Sequence, residues 1–259
     1  GANRWREFDQ WPPQGVETTT LFLGGGGSLS AAKPIADDEP VFDEFPSDPA
    51  HPVPYTPAIS TRWNSEYMVE DQRFAARRPD VLVYRSEVLQ EDLTVAGPIT
   101  ARLWVSTSGT DADWVVKLID EFPGRMPGYE PPKRWGDSGE EDLGGTQRMV
   151  RSEIIRGRFR NSLERPEPFV PGEVTLVEMP LQGVLHTFKR GHRIMIHIQS
   201  SLFPLFDRNP QTYVPNIFEA DADDYIKATH RVYHSVDHPS SLEIGVLPNT
   251  APVVQPNIQ

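Results

Sequence analysis

Two neighbouring segments with a period of two restrict the fold of this chain more strongly than any other feature. In residues 99–106 and 114–119, apolar side chains alternate with other side chains along the sequence. The apolar row of the first segment is Ile99, Ala101, Leu103 and Val105. A period of two is that of a β-strand with one face toward a core, and the Gly- and Asp-containing residues 108–113 suit a turn. The stretch therefore predicts two β-strands joined by a polar turn.

Short strands of this kind recur along the chain, whereas no long helical pattern does. The candidate strands cover residues 18–23, 80–86, 99–106, 114–122, 150–159, 173–182, 193–200, 228–235 and 241–247. This number suits a double-sheet sandwich, and 26 prolines and 19 glycines suit its many loops. We predict an all-β fold, a jelly-roll or galactose-binding-like β-sandwich with a long N-terminal extended arm.

The arm is the segment 33–57, which is rich in proline and acidic residues. Such a segment sustains neither a helix nor a central strand, so we expect an extended chain laid over a surface. The side chains that anchor it in this interpretation are Phe42, Phe45 and Tyr55. We accordingly divide the chain into an N-terminal segment with its arm, 1–60, and a β-sandwich domain, 61–259.

The composition excludes several classes of function. A net charge of −12 opposes binding to nucleic acid or to an anionic membrane surface. No apolar run is long enough to cross a membrane, and the first residues lack the apolar core of a signal peptide. Without cysteine there is no disulfide framework, thiol nucleophile or cysteine-bound zinc. The cellular location stays open between cytoplasmic and periplasmic or secreted.

A serine-hydrolase site is not apparent in the chain. The nucleophile elbow needs Gly-x-Ser-x-Gly at a strand-to-helix turn, and residues 26–30, GGSLS, fail at the last position. Residues 136–139, GDSG, resemble a protease serine environment, but we interpret Ser138 as a residue of the long loop 123–145. Loops of that length are often functional or interfacial. Neither serine therefore predicts a catalytic site.

Histidines and aspartates were considered as metal ligands. His230, His234 and His238 recur every four residues, but the segment has a strand pattern, which would separate successive rings by about 13 Å. The other histidines near a turn are His186, His192 and His197. Asp111 and Asp113, together with Asp120, offer oxygen ligands for calcium, and the alternative is that they cap turn amides beside Trp114. We predict no metal site and no cofactor.

A second polar cluster lies in the aromatic segment 200–212, SSLFPLFDRNPQT. Its polar members are Asp207, Arg208 and Asn209, and the aromatic residues around them are Phe203, Phe206 and Tyr213. Two interpretations are equally consistent with these residues. The cluster lines a pocket or an interface, or it forms an internal salt bridge and turn.

Three long segments together resemble a known family. They are residues 80–122, which include DADW at 111–114, residues 171–212 and residues 234–248; SDPAHPVPY and NRWREFDQWPP also fit. The chain resembles, over nearly its whole length, the C-terminal jelly-roll domain of the CocE/NonD serine hydrolases, which is of the X-Pro dipeptidyl-peptidase C-terminal type. It looks most similar to the branch of α-amino acid ester hydrolases and glutaryl-7-aminocephalosporanic acid acylases, which suggests a bacterial source.

The resemblance implies a noncatalytic role. In that family the Ser, Asp and His triad lies on an α/β-hydrolase domain, which this chain lacks, so it looks like a fragment, a cleavage product or a separate domain. The expected partner is that hydrolase domain, contacted by residues 1–60 among others, with the ester or amide substrate reached indirectly. The predicted interface or pocket residues are Asp111, Asp113, Trp114, Asp207, Arg208 and Asn209.

Three further possibilities stay open at this stage. Jelly rolls often bind carbohydrate through exposed aromatic side chains, and Trp104 and Trp135 are the candidates for an autonomous binding module. A second alternative is that the chain is itself an enzyme with an unrecognised site. An isolated domain of this kind is also expected to expose apolar surface and to form homo-oligomers.

Overall fold

The longest strand, β5 (Leu93–Thr107), is the centre of the sheet. The computed structural model describes residues 1–2, 4–36, 41–58, 64–124 and 144–248. Along one edge, β5 pairs with two strands in succession, β10 (Ala228–Tyr233) and β11 (Ser241–Leu247). Its other edge pairs over its whole length with β8 (Thr175–Phe188). Three strands from the second half of the chain thus assemble on the strand that the period of two predicts.

Within the described ranges, eleven strands form one hydrogen-bonded sheet, and helices are short. The remaining strands are β1 (Glu17–Gly24), β2 (Ser28–Ser30), β3 (Phe42–Ser47), β4 (Leu82–Arg85), β6 (Asp113–Glu121), β7 (Gln147–Arg156) and β9 (Arg193–Gln199). The single α-helix of these ranges is α1 (Arg73–Ala76), and short 3-10 turns occupy Gly25–Gly27, Ser65–Met68, Gly157–Phe159, Ile217–Glu219 and Ala222–Asp224. None of these helices is long and apolar enough to span a membrane. The predicted all-β fold is confirmed.

The sheet folds into two layers. Its order is β3-β10-β5-β11-β1-β2-β4-β9-β6-β7, with β8 on the far edge of β5. The short strand β2 joins the two layers, because it pairs with β1 on one side and makes a single parallel pair with β4 on the other. The main core is built from both layers, including Leu103 and Val105 of β5 and Val116 and Leu118 of β6. The structure is therefore a β-sandwich.

The layer formed by β4, β9, β6 and β7 is covered on both faces. Every residue of β6 before Glu121 is buried, so its second row, Val115, Lys117 and Ile119, is as enclosed as the row that faces the main core. A second apolar cluster contains Val53, Ala75 and Val81, and a third contains Tyr55, Val115 and Leu202. The cover is thus made from the arm, from the region of α1 and from the loop after β9.

The Pro-rich arm contains a strand that the sequence analysis did not predict. β3 pairs antiparallel with β10 at the end of the sheet, and Pro46 is tolerated there because an edge strand has backbone groups that need no partner. Phe45 and Tyr55 are buried, at 1% and 2% exposure, as expected for anchoring side chains. Strand pairing by β1 and β3 crosses the division drawn at residue 60. Contact of residues 1–60 with a further domain stays a prediction.

β5 begins six residues earlier than predicted. Pro98 lies just before the predicted start and has no amide hydrogen to donate to a neighbouring strand. The chain passes this point with Gly97 at φ 106° and a register shift against β8 between Gly97 and Ile99. A β-bulge with glycine at positive φ lets a strand absorb such a residue and continue, which is why the strand was predicted too short.

Candidate functional site

Asp111, which precedes β6, is fully buried and forms an ion pair with Arg158. The Nε and Nη2 atoms of Arg158 donate to Asp111 Oδ2 at 2.8 and 2.6 Å. Arg158 is itself only 4% exposed, donates to the carbonyl oxygen of Val214 at 2.7 Å, and stacks over the ring of Tyr213 at 4.4 Å. A buried charge needs such compensation. The pair ties the start of β6 to the chain after residue 209.

Asp113, two residues later on the same strand, has two partners. Its register partner on β7, Arg156, donates to the Oδ1 and Oδ2 atoms at 3.2 and 3.4 Å. Asn209 Nδ2 donates to Oδ1 at 2.7 Å. Burial raises the pKa of the Asp113 carboxyl to about 6, although Arg156 and Asn209 oppose this rise. The two predicted clusters, around Asp113 and around Asn209, are thus in direct contact.

Trp114 lies on the opposite face of β6, inside the main core. Its ring contacts Phe45 edge-on, with 6.4 Å between ring centroids, and His230 at 5.2 Å. Burial lowers the pKa of His230 to about 3, so this ring is neutral at ordinary pH. Trp114 joins the two layers and does not reach an open surface.

The predicted residues Asp207 and Arg208 lie at the surface, in a loop of residues 202–208 that we call the aromatic loop. Its Phe203 and Phe206 are 37% and 41% exposed. Arg208 donates to the carbonyl oxygen of Pro49 at 2.8 Å and lies over the ring of Phe203 at 5.6 Å. Asp207 is exposed. The loop thus presents two phenyl rings and a cation that is held in place.

A neighbouring turn has further exposed apolar side chains. Tyr67 packs on the same apolar cluster as the aromatic loop, and its ring lies 5.4 Å from that of Tyr55. The following residues, Met68 and Val69, are 48% and 51% exposed. Monomeric proteins seldom expose large contiguous apolar areas without a use for them. We call Met68, Val69, Phe203 and Phe206 the apolar patch.

The buried and exposed members of the predicted site therefore differ in position. Asp111, Asp113, Trp114 and Asn209 are at most 4% exposed, and their partners lie within the domain. Asp207 and Arg208 lie on the outer side of the aromatic loop, and Asn209 follows directly after it. That the six predicted residues line one pocket or interface stays a prediction. The buried pair of Asp113 and Asn209 lies at the end of the loop that carries Asp207 and Arg208.

The three aspartates considered for calcium bind three different sets of partners. Asp111 and Asp113 pair with separate arginines, whereas Asp120 binds His192 Nδ1 at 2.6 Å and His186 Nε2 at 2.9 Å. Burial would raise the pKa of Asp120, but these two hydrogen bonds outweigh it and lower the pKa. Across the described ranges, no three His, Asp or Glu side chains are placed to share a metal ion.

Of the two tryptophans considered for a carbohydrate site, only Trp104 lies in the described residues. Trp104 packs against His238 with 4.9 Å between ring centroids, so part of its ring is used within the fold. Trp135 and Ser138 lie outside the described residues.

β6 also contains a buried lysine that its residue type did not predict. Lys117 is 1% exposed, and its Nζ atom donates to Gln72 Oε1 at 2.9 Å. Burial lowers its pKa to about 7. The register partner of Lys117 on β9 is His197, whose pKa is well below its usual value because of burial first and of Lys117 and Arg85 second. The flanking Val115 and Ile119 were the signal that this face is covered.

Taken together, these features make the described part of the chain a two-layer β-sandwich domain with paired buried charges and exposed apolar side chains. Residues 1–243 match the family described as the X-Pro dipeptidyl-peptidase C-terminal non-catalytic domain. The chain belongs to this family, which is the C-terminal domain of CocE/NonD-type hydrolases.

Relatives of known sequence or structure support this assignment. The cocaine esterase of Rhodococcus sp. (strain MB1 Bresler) is 31% identical over 95% of this chain and 40% of its own length. A solved aminopeptidase of the marine sediment archaeon Thaumarchaeota archaeon matches with a TM-score of 0.85 and 44% identity, over 96% of this chain and 39% of its own. An α-amino acid ester hydrolase matches with a TM-score of 0.81 and 43% identity, over 89% and 36%. The chain therefore spans at most 40% of these relatives.

Proposed function

We propose that this domain packs on the catalytic α/β-hydrolase domain of a serine ester or amide hydrolase and forms part of the wall of its substrate pocket. The parent reaction is acyl transfer from an α-amino acid ester or a β-lactam amide to a serine, and then to water. The domain contributes shape and water exclusion to this reaction and no reacting group.

The apolar patch is the observation that carries the proposal. Phe203 and Phe206 stand at the surface on a loop whose neighbours are buried, and phenylalanine, methionine and arginine are enriched at the cores of protein interfaces. Each matched relative has more than half of its length outside this domain, which supplies an occupant of sufficient size. We assign the patch to that portion.

The first test uses the chain by itself. Incubation with a fluorophosphonate, followed by intact-mass measurement, is expected to show no labelled serine, and an α-amino acid ester is expected to remain uncleaved. Stoichiometric labelling of one serine together with turnover would overturn a noncatalytic role.

The second test joins the chain to a catalytic portion. In a chimera, this chain replaces the matched domain of the archaeal aminopeptidase, and hydrolysis of an aminoacyl 4-nitroanilide is measured. The double variant Phe203→Ala/Phe206→Ala is expected to lower kcat/KM at least about tenfold, since each buried interface ring contributes on the order of 1 kcal/mol or more. Leu163→Ala, at an exposed leucine of another loop, is the matched control. A folded chimera without turnover, or equal effects of the two changes, would contradict the proposal.

A further inference from the structure

The aromatic loop is fastened at both of its ends. At its start, the amide of Phe203 donates to the carbonyl oxygen of Val53 at 3.0 Å, and the amide of Tyr55 donates to the carbonyl oxygen of Phe203 at 2.9 Å. At its end, Asn209 is 4% exposed and donates to Asp113. The other exposed residues of the loop, among them Phe206 and Asp207, lie between these two attachments.

The attachment at the end of the loop includes an unusual backbone conformation. Gln211 has φ 67° and is the one non-glycine residue at positive φ in the described part of the chain. A non-glycine residue in this region costs of order 1 kcal/mol or more and persists when its surroundings determine it. The surroundings of Gln211 therefore hold its backbone in this conformation.

Gln211 is held by five hydrogen bonds. Its amide donates to Asn209 Oδ1 at 2.7 Å, and its carbonyl oxygen accepts from the amides of Thr110 and Asp111 at 3.0 and 3.2 Å. Its Nε2 atom donates to the carbonyl oxygens of Ser47 and Ile226 at 3.0 and 2.7 Å. This one buried residue therefore joins three segments: its side chain bonds β3 and the segment before β10, and its backbone carbonyl oxygen bonds the turn before β6.

The close approach of these two segments also explains the glycine at position 109. A Cβ atom placed on Gly109 would lie 2.3 Å from the carbonyl oxygen of Gln211. Only glycine allows the turn before β6 to come this close. The contact between the turn and the end of the loop is therefore built into both segments.

From these contacts we infer that Asp113, Asn209 and Gln211 form a clamp, which positions the aromatic loop for docking on the catalytic domain. Asp113 fixes the side chain of Asn209, Asn209 fixes the amide of Gln211, and Gln211 fixes the direction in which the chain leaves the loop. These are positioning residues, since all three are buried and act on the exposed rings through the loop. The inference rests on the proposed function, and its first test does not depend on that function.

The first test measures the order of the loop in this chain alone. Because the chain contains no cysteine, an Asp207→Cys variant carries a single nitroxide label. Asn209→Ala is expected to shift the label to a mobile spectrum while the transition temperature shows that the domain remains folded. Gln211→Gly keeps the positive φ but removes the two side-chain hydrogen bonds, and it is expected to give a smaller shift of the same kind.

Two controls make this result specific. Asn161→Ala removes another asparagine that donates to a carboxylate at 2.8 Å, but at an exposed position, and it is expected to leave the spectrum unchanged. A label at Lys33→Cys, outside the loop, is expected to be insensitive to Asn209→Ala. A label at position 207 that stays equally ordered in Asn209→Ala would overturn the clamp.

The second test separates the clamp from the proposed function. In the chimera, Asn209→Ala is expected to raise KM or lower kcat/KM about tenfold, the effect of one lost hydrogen bond to a charged group, whereas Asn161→Ala has no effect. If Phe203→Ala/Phe206→Ala impairs turnover and Asn209→Ala does not, the clamp is wrong and the docking surface stands. If the phenylalanine variant has no effect, the docking surface is wrong, and the label alone decides the clamp.

Discussion

Replacing the buried Lys117 by methionine is expected to stabilise the domain at neutral pH and to remove part of the pH dependence of its stability. Methionine has a similar length and no charge, so it fills the space beneath α1 and loses the hydrogen bond to Gln72. The lysine is enclosed with a neutral amide as its hydrogen-bond acceptor, and an ammonium ion in such a place is poorly solvated.

The magnitude follows from the pKa. Burial lowers the pKa of Lys117 from 10.5 to about 7, so between these values the unfolded chain binds a proton that the folded domain does not. Stability therefore rises with pH across this window, by about 1.4 kcal/mol per unit. Most of this rise lies above pH 7, which gives about 2 kcal/mol between pH 7 and pH 9. The loss of the hydrogen bond to Gln72 costs Lys117→Met about 1 kcal/mol at every pH.

The assay is urea unfolding of both proteins, followed by tryptophan fluorescence at pH 7, 8 and 9. Lys117→Met is expected to be more stable than the unaltered domain by about 3 kcal/mol at pH 7 and by about 1 kcal/mol at pH 9. Lys227→Met, at a lysine with a side chain 77% exposed, is the control and should show a difference that does not depend on pH. A constant difference for Lys117→Met, or a less stable variant at pH 7, would refute the reasoning.

Three further changes test the packing of the site by urea or thermal unfolding. Arg158→Ala leaves Asp111 as an unpaired buried charge and is expected to destabilise the domain by about 3–5 kcal/mol; a loss below about 1 kcal/mol would contradict the pairing. Gly157→Ala places a Cβ atom 2.6 Å from an aromatic ring and 2.7 Å from a carbonyl oxygen and is expected to cost about 1–3 kcal/mol. Gly124→Ala, where nothing lies within 4 Å, should change stability by less than about 0.5 kcal/mol. Trp114→Ala opens a cavity between the layers and is expected to cost about 3–5 kcal/mol; an equally stable variant would rule out this packing.

The sequence predicted the strands better than their covering. β6, β9 and β11 follow the period of two, which is a local property and can be read from neighbouring residues. β3 was missed because its pairing with β10 joins residues far apart in the chain, and its proline-rich composition is compatible with an edge strand as well as with an extended arm. The β-sandwich itself was predicted.

The candidate site was predicted as residue types but not as contacts. The aspartates at 111 and 113 and the cluster at 207–209 were identified, and the structure brings Asp113 and Asn209 together. Arg156 and Arg158 were not identified, because their role depends on the register between β6 and β7. The burial of Lys117 was not predicted, since the residues that cover it come from distant segments.

The position of β11 has a consequence for the order in which the domain assembles. This strand fits between β1 and β5 and pairs with both. Until residues 241–247 have left the ribosome, the first and the central strands of this layer cannot be joined, and both present open edges. Unpaired edges of this kind invite association with other chains. Nascent chains of this domain are therefore expected to need protection until β11 is made, and chains that stop before residue 241 are expected to aggregate.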